Sequence, residues 1–93
     1  MTASNRARFA LGRIVATPGA IESVQQTEIT HCLARHARGD WGEVCPEDRE
    51  ENEFSVDKHL RLLSVFRADN GTKFWIITEA DRSATTVLLP DEY

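Results

Sequence analysis

The side chains of this chain that could do chemistry include an imidazole, two guanidinium groups and a hydroxyl suited to cleaving RNA without a metal. Such a reaction needs a base for the 2′-hydroxyl, a cation beside the crowded phosphate and an acid for the leaving oxygen. The candidate catalytic residues are His36, Arg67, Arg82 and Thr85, with His31, Lys73, Ser83 and Thr86 as further candidates. The competing interpretation is ordinary turn chemistry around residues 81–83, with a solvated arginine, and we favour it.

Cysteine and histidine spacing offers a possible zinc site. Cys32 and His36 lie four residues apart on one predicted helix face, and Cys45 and His59 could complete a Cys2His2 set. The order C-x3-H-x8-C-x13-H lacks the short C-x2-C element of common zinc modules. We therefore expect Cys32 to be a small core residue and His36 a helix-end cation, and we predict neither a metal nor a cofactor.

Cys45 offers a third chemistry, because it precedes Pro46 at a predicted helix start, where the helix dipole activates a thiol. His36 or His59 could act as its base. The seven carboxylates in residues 43–57 oppose this activation, so we expect a loop or capping cysteine. The sequence leaves undecided whether the protein is an enzyme.

The acidic residues are concentrated in one segment of a chain whose net charge is −4. Five arginines and three acids give +2 in residues 1–42, one arginine and seven acids give −6 in residues 43–57, and residues 58–93 balance. This distribution argues against a general attraction to nucleic acid and leaves only a local basic groove open. The acidic segment has the composition of a solvent-exposed helix face. Alternatively, Glu47, Glu50 and Glu51 bind a basic partner or imitate nucleic acid.

The last third of the chain has the pattern of a three-stranded antiparallel meander. Apolar strands are predicted at residues 60–68, 72–78 and 84–89, joined by turns at Asn70-Gly71 and residues 79–83. Asn-Gly between apolar runs favours a two-residue type I′ turn, because both residues tolerate positive φ. This turn predicts that Val65 pairs with Ile76, and a four-residue second loop predicts that Ile76 pairs with Val87.

The predicted register divides the meander into two faces. One face is wholly apolar and is assigned to the core: Leu63, Val65, Phe74, Ile76, Val87 and Leu89. The other face carries Leu62, Phe66, Trp75, Ile77 and Leu88 among polar residues, and it is too apolar to be simply solvated. We predict that this face is covered by another element or binds a partner, with Phe66, Trp75, Ile77 and Leu88 as the candidate binding residues. The same register places Arg67, Thr78 and Thr85 on one face near one end of the sheet.

The N-terminal half of the chain predicts one strand and three helices. Residues 8–16 suit a strand, and Thr17 with Pro18 suits the start of a short helix. A second helix, which ends before a left-handed Gly39, is indicated by an apolar face of Ile29, Cys32, Leu33 and His36. A third helix begins at Pro46 and is anchored by Phe54 and Val56.

Length and composition indicate one globular domain. The chain has 93 residues, of which 41% are hydrophobic, which suits a single α+β domain over residues 8–93 after a flexible tail at residues 1–7. We predict a mainly antiparallel sheet of three to four strands, with two to three helices packed on one face. No apolar run suits a membrane helix, no secretory signal is recognisable and only two cysteines occur, so we expect a cytoplasmic protein.

Three stretches carry a family resemblance: LARHARGDWGEV, RLLSVFR and GTKFWIITEADRSATTVLLPDEY, within a region that spans most of residues 11–93. They resemble a family of small uncharacterised proteins encoded on plasmids and integrative elements of proteobacteria. This resemblance implies a mobile-element setting and no mechanism. The order of a strand, helices ending in Arg35-His36 and a threonine-rich meander is also similar to the barnase–colicin–RelE group of ribonuclease toxins, although no catalytic motif of that group matches.

These observations predict an accessory protein of a mobile element that acts by binding. The expected partner is another protein or a second copy, bound through the second face of the meander around Phe66 and Trp75. Two alternatives stay open: a metal-independent, toxin-like ribonuclease, and an acidic nucleic-acid mimic that inhibits a host defence enzyme. Convergence of the four catalytic candidates in one cleft would favour the ribonuclease, whereas their dispersal would leave little support for it.

Overall fold

The computed structural model describes residues 6–93 as a four-stranded sheet with three α-helices, which confirms the predicted α+β class. The elements in chain order are β1 (Arg13–Ala16), α1 (Pro18–Ser23), α2 (Gln26–Ala37), α3 (Pro46–Lys58), β2 (Leu62–Arg67), β3 (Lys73–Thr78), β4 (Ala84–Leu88) and a 3-10 turn (Pro90–Glu92). Most of the predicted tail, residues 1–5, lies outside the described residues. None of the helices described is long and apolar enough to cross a membrane.

The sheet has the spatial order β1-β4-β3-β2. The three C-terminal strands form the predicted antiparallel meander, whereas β1 runs parallel to β4, with Ile14 beside Thr85 and Ala16 beside Val87. Parallel strands need a long crossover, and here all three helices and two strands separate β1 from β4 in sequence. The two outer strands of the sheet are therefore β1 and β2.

The strand register confirms one hairpin prediction and corrects the other. Ile76 lies opposite Val87, as predicted. Val65, however, lies opposite Trp75 rather than Ile76, so the register predicted for the first hairpin is wrong by one residue.

The turn between β2 and β3 explains this shift. Ala68 N donates to Thr72 O, and Gly71 N donates to Ala68 O, which closes a three-residue loop instead of the predicted two-residue one. Gly71 has a φ of 90°, whereas Asn70 keeps a negative φ. A type I′ turn needs positive φ at both central residues, so the loop is of the three-residue kind that ends in a left-handed glycine.

A shift of one residue exchanges the two faces of β2. The face beneath the helices carries Leu62, Ser64, Phe66, Phe74, Ile76, Thr78, Thr85 and Val87. Phe66, predicted for the binding face, is instead 2% exposed in the core. Leu63 and Val65, predicted for the core, lie partly exposed on the opposite face.

Helices α1 and α2 cover the core face with apolar side chains at helical spacing. The buried residues of α2 include the predicted set of Ile29, Cys32, Leu33 and His36. Thr17 caps α1 as predicted, because its Oγ1 accepts from Ala20 N at 3.2 Å.

Helix α3 packs through two buried polar residues and through the predicted anchor Val56, which contacts the cluster of Trp41, Val44 and Leu62, but not through the predicted aromatic anchor. It begins at Pro46 as predicted, but Phe54 is 53% exposed, so the prediction that Phe54 anchors the helix is wrong. The buried residues of α3 are Asn52 and Ser55. A buried amide is stable here only because the backbone of β2 satisfies its hydrogen bonds.

Strand β1 is shorter than predicted, because the residues before it cross the end of α2. Arg8 N donates to Ala37 O at 2.7 Å, so the start of this segment bonds the end of α2 rather than a strand. Gly12 then redirects the chain into β1 with a φ of 65°. A Cβ added at Gly12 would lie 2.4 Å from the Ser83 carbonyl, so only glycine fits this approach.

Candidate functional site

A chain of buried polar side chains crosses the interior around His36. The ring is fully buried, with Nδ1 at 2.5 Å from Ser64 Oγ and Nε2 at 2.8 Å from Thr78 Oγ1. Thr78 Oγ1 lies 2.8 Å from Thr85 Oγ1, which donates to the Leu11 carbonyl oxygen at 2.7 Å. These contacts join α2 to β2, β3, β4 and the segment that leads into β1.

The Leu11 carbonyl oxygen, at the end of this series of hydrogen bonds, determines which group donates in each bond. A carbonyl oxygen only accepts, so Thr85 uses its hydroxyl proton on Leu11 and accepts from Thr78. Thr78 has then used its own proton and accepts from His36 Nε2–H. In the neutral imidazole Nδ1 is consequently an acceptor, and Ser64 donates to it.

Burial keeps His36 neutral and away from any substrate. Desolvation, and to a smaller extent the charge of Arg82, lowers the pKa of His36 from 6.5 to about 3. Phe9 and Trp41 pack edge-on against the ring, with centroids 5.2 and 5.6 Å away. The expectation of a helix-end cation at His36 is therefore wrong. Because a general base must reach the proton that it abstracts, the ring in this position serves packing rather than catalysis.

Arg82 is engaged by backbone rather than solvated. It adopts a left-handed conformation with φ of 62° in the turn between β3 and β4. Its guanidinium donates to the carbonyl oxygens of Ser55, Leu60, Glu79 and Ala80. Arg82 therefore fastens this turn to the end of α3.

The remaining catalytic candidates do not join these groups in a cleft. Arg67 lies on the sheet face opposite the helices and pairs with Glu43 at 3.2 Å. Thr78 and Thr85 lie on the helix-covered face, at the other end of their strands. The predicted placement of Arg67, Thr78 and Thr85 on one face is wrong, because it depended on the wrong register of β2.

The four residues of the possible zinc set are separated. Cys32 is buried in the core, where desolvation raises its thiol pKa, and Cys45 is exposed ahead of α3. His59 ends α3 in a left-handed conformation, and both ring nitrogens of His36 are engaged by hydroxyl groups. Across residues 6–93, no three histidine, cysteine or carboxylate side chains form a group that could hold a metal ion.

The outer face of the sheet, opposite the helices, is partly covered by the end of the chain. Tyr93 packs against Trp75 with centroids 5.6 Å apart, and Arg61 donates to the Tyr93 hydroxyl at 2.8 Å. Of the predicted binding residues, Ile77 and Leu88 are buried on this face and Trp75 is half-buried. A shallow groove of about 310 Å³ is left beside Trp75 and Tyr93.

The acidic surface of α3 surrounds an exposed aromatic ring and consists of Glu47, Glu50, Glu51 and Phe54. Glu53 is not available for a basic partner, because its carboxylate already binds two side chains of this protein. It accepts from Arg8 at 2.8 Å and from Trp41 Nε1 at 3.0 Å, and these bonds lower its carboxyl pKa. The interpretation of α3 as a surface for a basic partner therefore depends on three carboxylates and stays a prediction.

The sheet edge formed by β2 is closed by the chain itself. The N–H and C=O of Leu63 both bond the buried Asn52 side chain, at 3.1 and 2.7 Å. Val65 N donates to Trp41 O, and Val65 O accepts from Glu43 N, so the loop before α3 runs as a bridge beside β2. At both positions the outward backbone groups are satisfied.

The sheet edge formed by β1 is open within residues 6–93. The N–H groups of Arg13 and Thr17 donate toward β4. Because backbone groups alternate sides along a strand, those of Ile14 and Ala16 point to the outer side, where the described chain supplies no strand. We call the outer side of β1 the open edge.

An apolar groove of about 580 Å³ runs beside the open edge, between β1 and helices α1 and α2. Its walls are formed by Ile14, Ala16, Ile21, Val24, Gln26, Ile29, Thr30 and Leu33. Ile14 and Ile21 are 50% and 62% exposed, and Val15, on the other face of β1, is 41% exposed. Sequence reasoning missed this region. The available signal was the scarcity of apolar residues in the short helix α1, which has Ile21 within it and Val24 directly after it.

Comparison of the chain with family models, with curated proteins and with solved structures gave no match. Any inference about function therefore depends on the geometry of the chain itself, above all on the open edge and its groove.

Proposed function

We propose that this protein acts by binding another protein chain, which adds an extended strand to the open edge. The supporting observation is the unpaired backbone at Ile14 and Ala16, flanked by exposed aliphatic side chains. Strand edges bind extended peptides through main-chain hydrogen bonds, and neighbouring pockets accept alternate side chains of the peptide. Both parts of this recognition mode lie side by side at β1.

The groove would supply the selectivity of this binding. Alternate side chains of an added strand point to one face, so every second residue of the partner would lie over the groove. Its walls are aliphatic except for Gln26 and Thr30, and none of them is charged. Apolar partner residues are therefore favoured by about 0.8 kcal/mol for each buried methylene, whereas a charged group would lose hydration without gaining an ion pair.

The open edge is a better binding surface than the outer face of the sheet. Tyr93 and Arg61 already occupy part of the outer face, and Ile77 and Leu88 are buried there. Phe66, which the sequence placed on that face, packs in the core instead. The exposed apolar side chains at β1 have no such cover within the described residues.

A ribonuclease has less support than a binding protein. The neutral, buried His36 cannot exchange protons with a substrate, and Arg82 is engaged by four carbonyl oxygens. The resemblance to plasmid and integrative-element proteins implies a mobile-element setting for this role. The net charge of −4 favours a protein rather than nucleic acid as the partner.

Selection of binding peptides from a displayed library of extended sequences tests the proposed function. Selected peptides should carry apolar residues at alternate positions. Ile14→Lys places a charge at the mouth of the groove and should weaken their binding at least tenfold in titrations. Phe54→Lys makes the same kind of change at an exposed apolar residue on α3 and should leave binding unchanged.

Two outcomes would overturn this proposal. The first is a failure to select any peptide whose affinity responds to Ile14→Lys. The second is a set of peptides that respond to Phe54→Lys instead, because that result would locate the binding surface on α3.

A further inference from the structure

We infer that the strand added at the open edge is β1 of a second copy of this chain, antiparallel to the first and related to it by a two-fold axis through Val15. The inference rests on the proposed function and specifies the partner. A symmetric contact of this kind uses the same surface on both copies and closes as a dimer. The two sheets would then continue into one another across the axis.

The register of this pairing follows from the unpaired backbone groups. In an antiparallel pair, opposite residues alternately exchange both hydrogen bonds and none. With the axis through Val15, Ile14 of each copy lies opposite Ala16 of the other. These are the residues whose N–H and C=O groups face outward, so the pairing satisfies all of them.

A fixed anion lies at one end of β1. Thr17 Oγ1 donates to the Glu92 carboxylate at 2.5 Å, and Gly19 N donates to the same carboxylate at 3.1 Å. Glu92 is thereby held beside Thr17, directly after the last residue of β1. No cation pairs with it in the described part of the chain.

A free cation lies at the other end of β1. Arg13 is exposed, and residues 6–93 offer it no ion-pair partner. Antiparallel pairing about Val15 places Arg13 of one copy opposite Thr17 of the other, where Glu92 is held. Arg13 of each copy then pairs with Glu92 of the other copy, so the two-fold symmetry forms this ion pair twice.

The charges also discriminate against other arrangements of the two strands. Parallel pairing of the two β1 strands would bring Arg13 next to Arg13 of the second copy, and these like charges would repel each other. An antiparallel register shifted by two residues in one direction would place Arg13 opposite Val15, away from the anion. Shifted in the other direction, it would place Ile14 opposite Pro18, which has no N–H to donate. The antiparallel register about Val15 therefore matches both the backbone and the charges.

The exposed aliphatic side chains fit the same arrangement. On the outer face, Val15 meets Val15 of the second copy in the closely spaced, non-hydrogen-bonded pair. On the helix-covered face, Ile14 lies beside Ala16 of the second copy, at the mouth of its groove. Side chains that are about half exposed in the single chain become covered on both faces.

Sedimentation equilibrium of the full chain, over a range of concentrations up to the millimolar range, tests this inference with charge reversal. Arg13→Glu and Glu92→Arg each place like charges opposite one another in the dimer and should each weaken dimerisation at least tenfold. An equimolar mixture of the two variants restores opposite charges at both contacts, and should dimerise within about threefold of the wild type. Arg49→Glu, on α3, makes the same change in net charge and should have no effect.

Folding of each variant is checked by circular dichroism, because Glu92 also bonds the start of α1. If Glu92→Arg unfolds the chain, Arg13→Glu is compared with Arg13→Lys, which keeps the charge and should keep the dimer. A wild type that is strictly monomeric, or folded variants whose mixture does not recover, would overturn the inference. Peptides that still bind in an Ile14-dependent way would then leave the proposed function standing. A dimer indifferent to Ile14→Lys would overturn the inference alone, because it would place the dimer contact away from the open edge.

Discussion

The two outer strands of the sheet differ in whether their outward backbone groups have hydrogen-bond partners. At β2, the Asn52 amide and the bridge at Trp41–Glu43 satisfy the outward backbone groups of Leu63 and Val65. At β1, the corresponding groups of Ile14 and Ala16 have no partner in the described chain. Natural sheets protect an unused edge with charges, proline or a covering segment. This difference between the edges, within residues 6–93, is the basis of our proposal that the open edge binds a partner.

The largest effect of a substitution is expected where the closed edge meets the core. Trp41 is fully buried, stacks on Phe9 and donates its indole N–H to Glu53. Trp41→Ala should lower the free energy of unfolding by about 3–5 kcal/mol, because it leaves a large cavity beneath the bridge to β2. Urea denaturation measures the loss. Trp75→Ala, on the half-buried outer face, is the control, and an equal loss there would contradict the central role of Trp41.

The amide that closes β2 should have the next largest effect. Asn52→Ala removes both hydrogen bonds to Leu63 and leaves a buried N–H and C=O unpaired, so we expect a loss of about 2–4 kcal/mol in urea denaturation. Glu51→Ala, next to it but exposed, should stay within about 0.5 kcal/mol of the wild type. Equal effects of the two substitutions would show that β2 is not closed by Asn52.

Acid should lower the free energy of unfolding through His36, whose hydrogen-bonded series joins β2 to the segment before β1. The lowered pKa means that the folded protein does not take up the proton that the unfolded chain accepts below pH 6.5. The contribution of neutral His36 to the free energy of unfolding is therefore fully present above pH 6.5. It falls as the pH decreases toward 3, at up to about 1.4 kcal/mol per pH unit. Between pH 6.5 and 5 we expect a loss of about 1–2 kcal/mol.

Urea denaturation at several pH values measures this slope. His36→Gln, which cannot titrate, should be less stable at neutral pH but should lose less stability between pH 6.5 and 5. Equal slopes in the two proteins would contradict a buried, neutral His36.

The smallest effect on folding is expected at the open edge. Ile14→Lys should change the free energy of unfolding of the single chain by less than about 1 kcal/mol, because the side chain is half exposed and the bonds to β4 are kept. Phe54→Lys should have a similarly small effect. A loss comparable to that of Asn52→Ala would mean that Ile14 belongs to the core rather than to a binding surface.

Local signals in the sequence were sufficient for most elements of the fold. The cap at Thr17, the start of α3 at Pro46, the apolar face of α2 and the pairing of Ile76 with Val87 are all confirmed. The pairing of β2 could not be predicted in the same way. An Asn-Gly pair fits both a two-residue loop and a three-residue loop, and the choice between them inverts every side chain of β2.

The candidate site was hidden from sequence reasoning because it depends on distant contacts. The parallel pairing of β1 with β4 decides which backbone groups stay free, and nothing local in residues 13–16 reveals that pairing. Polar residues were equally misleading. His36 and Thr85 are suited to catalysis by type, yet Thr78 links them in one series of hydrogen bonds inside the core.

Residue-resolved amide hydrogen exchange at low and high protein concentration tests the difference between the two edges most directly. We predict that the Leu63 and Val65 amides are protected at both concentrations, since Asn52 and Trp41 accept from them. The Ile14 and Ala16 amides should exchange freely in dilute protein and gain protection as the concentration rises. Protection of these two amides in dilute protein, or no gain of protection at high concentration, would contradict an open edge that binds a second chain.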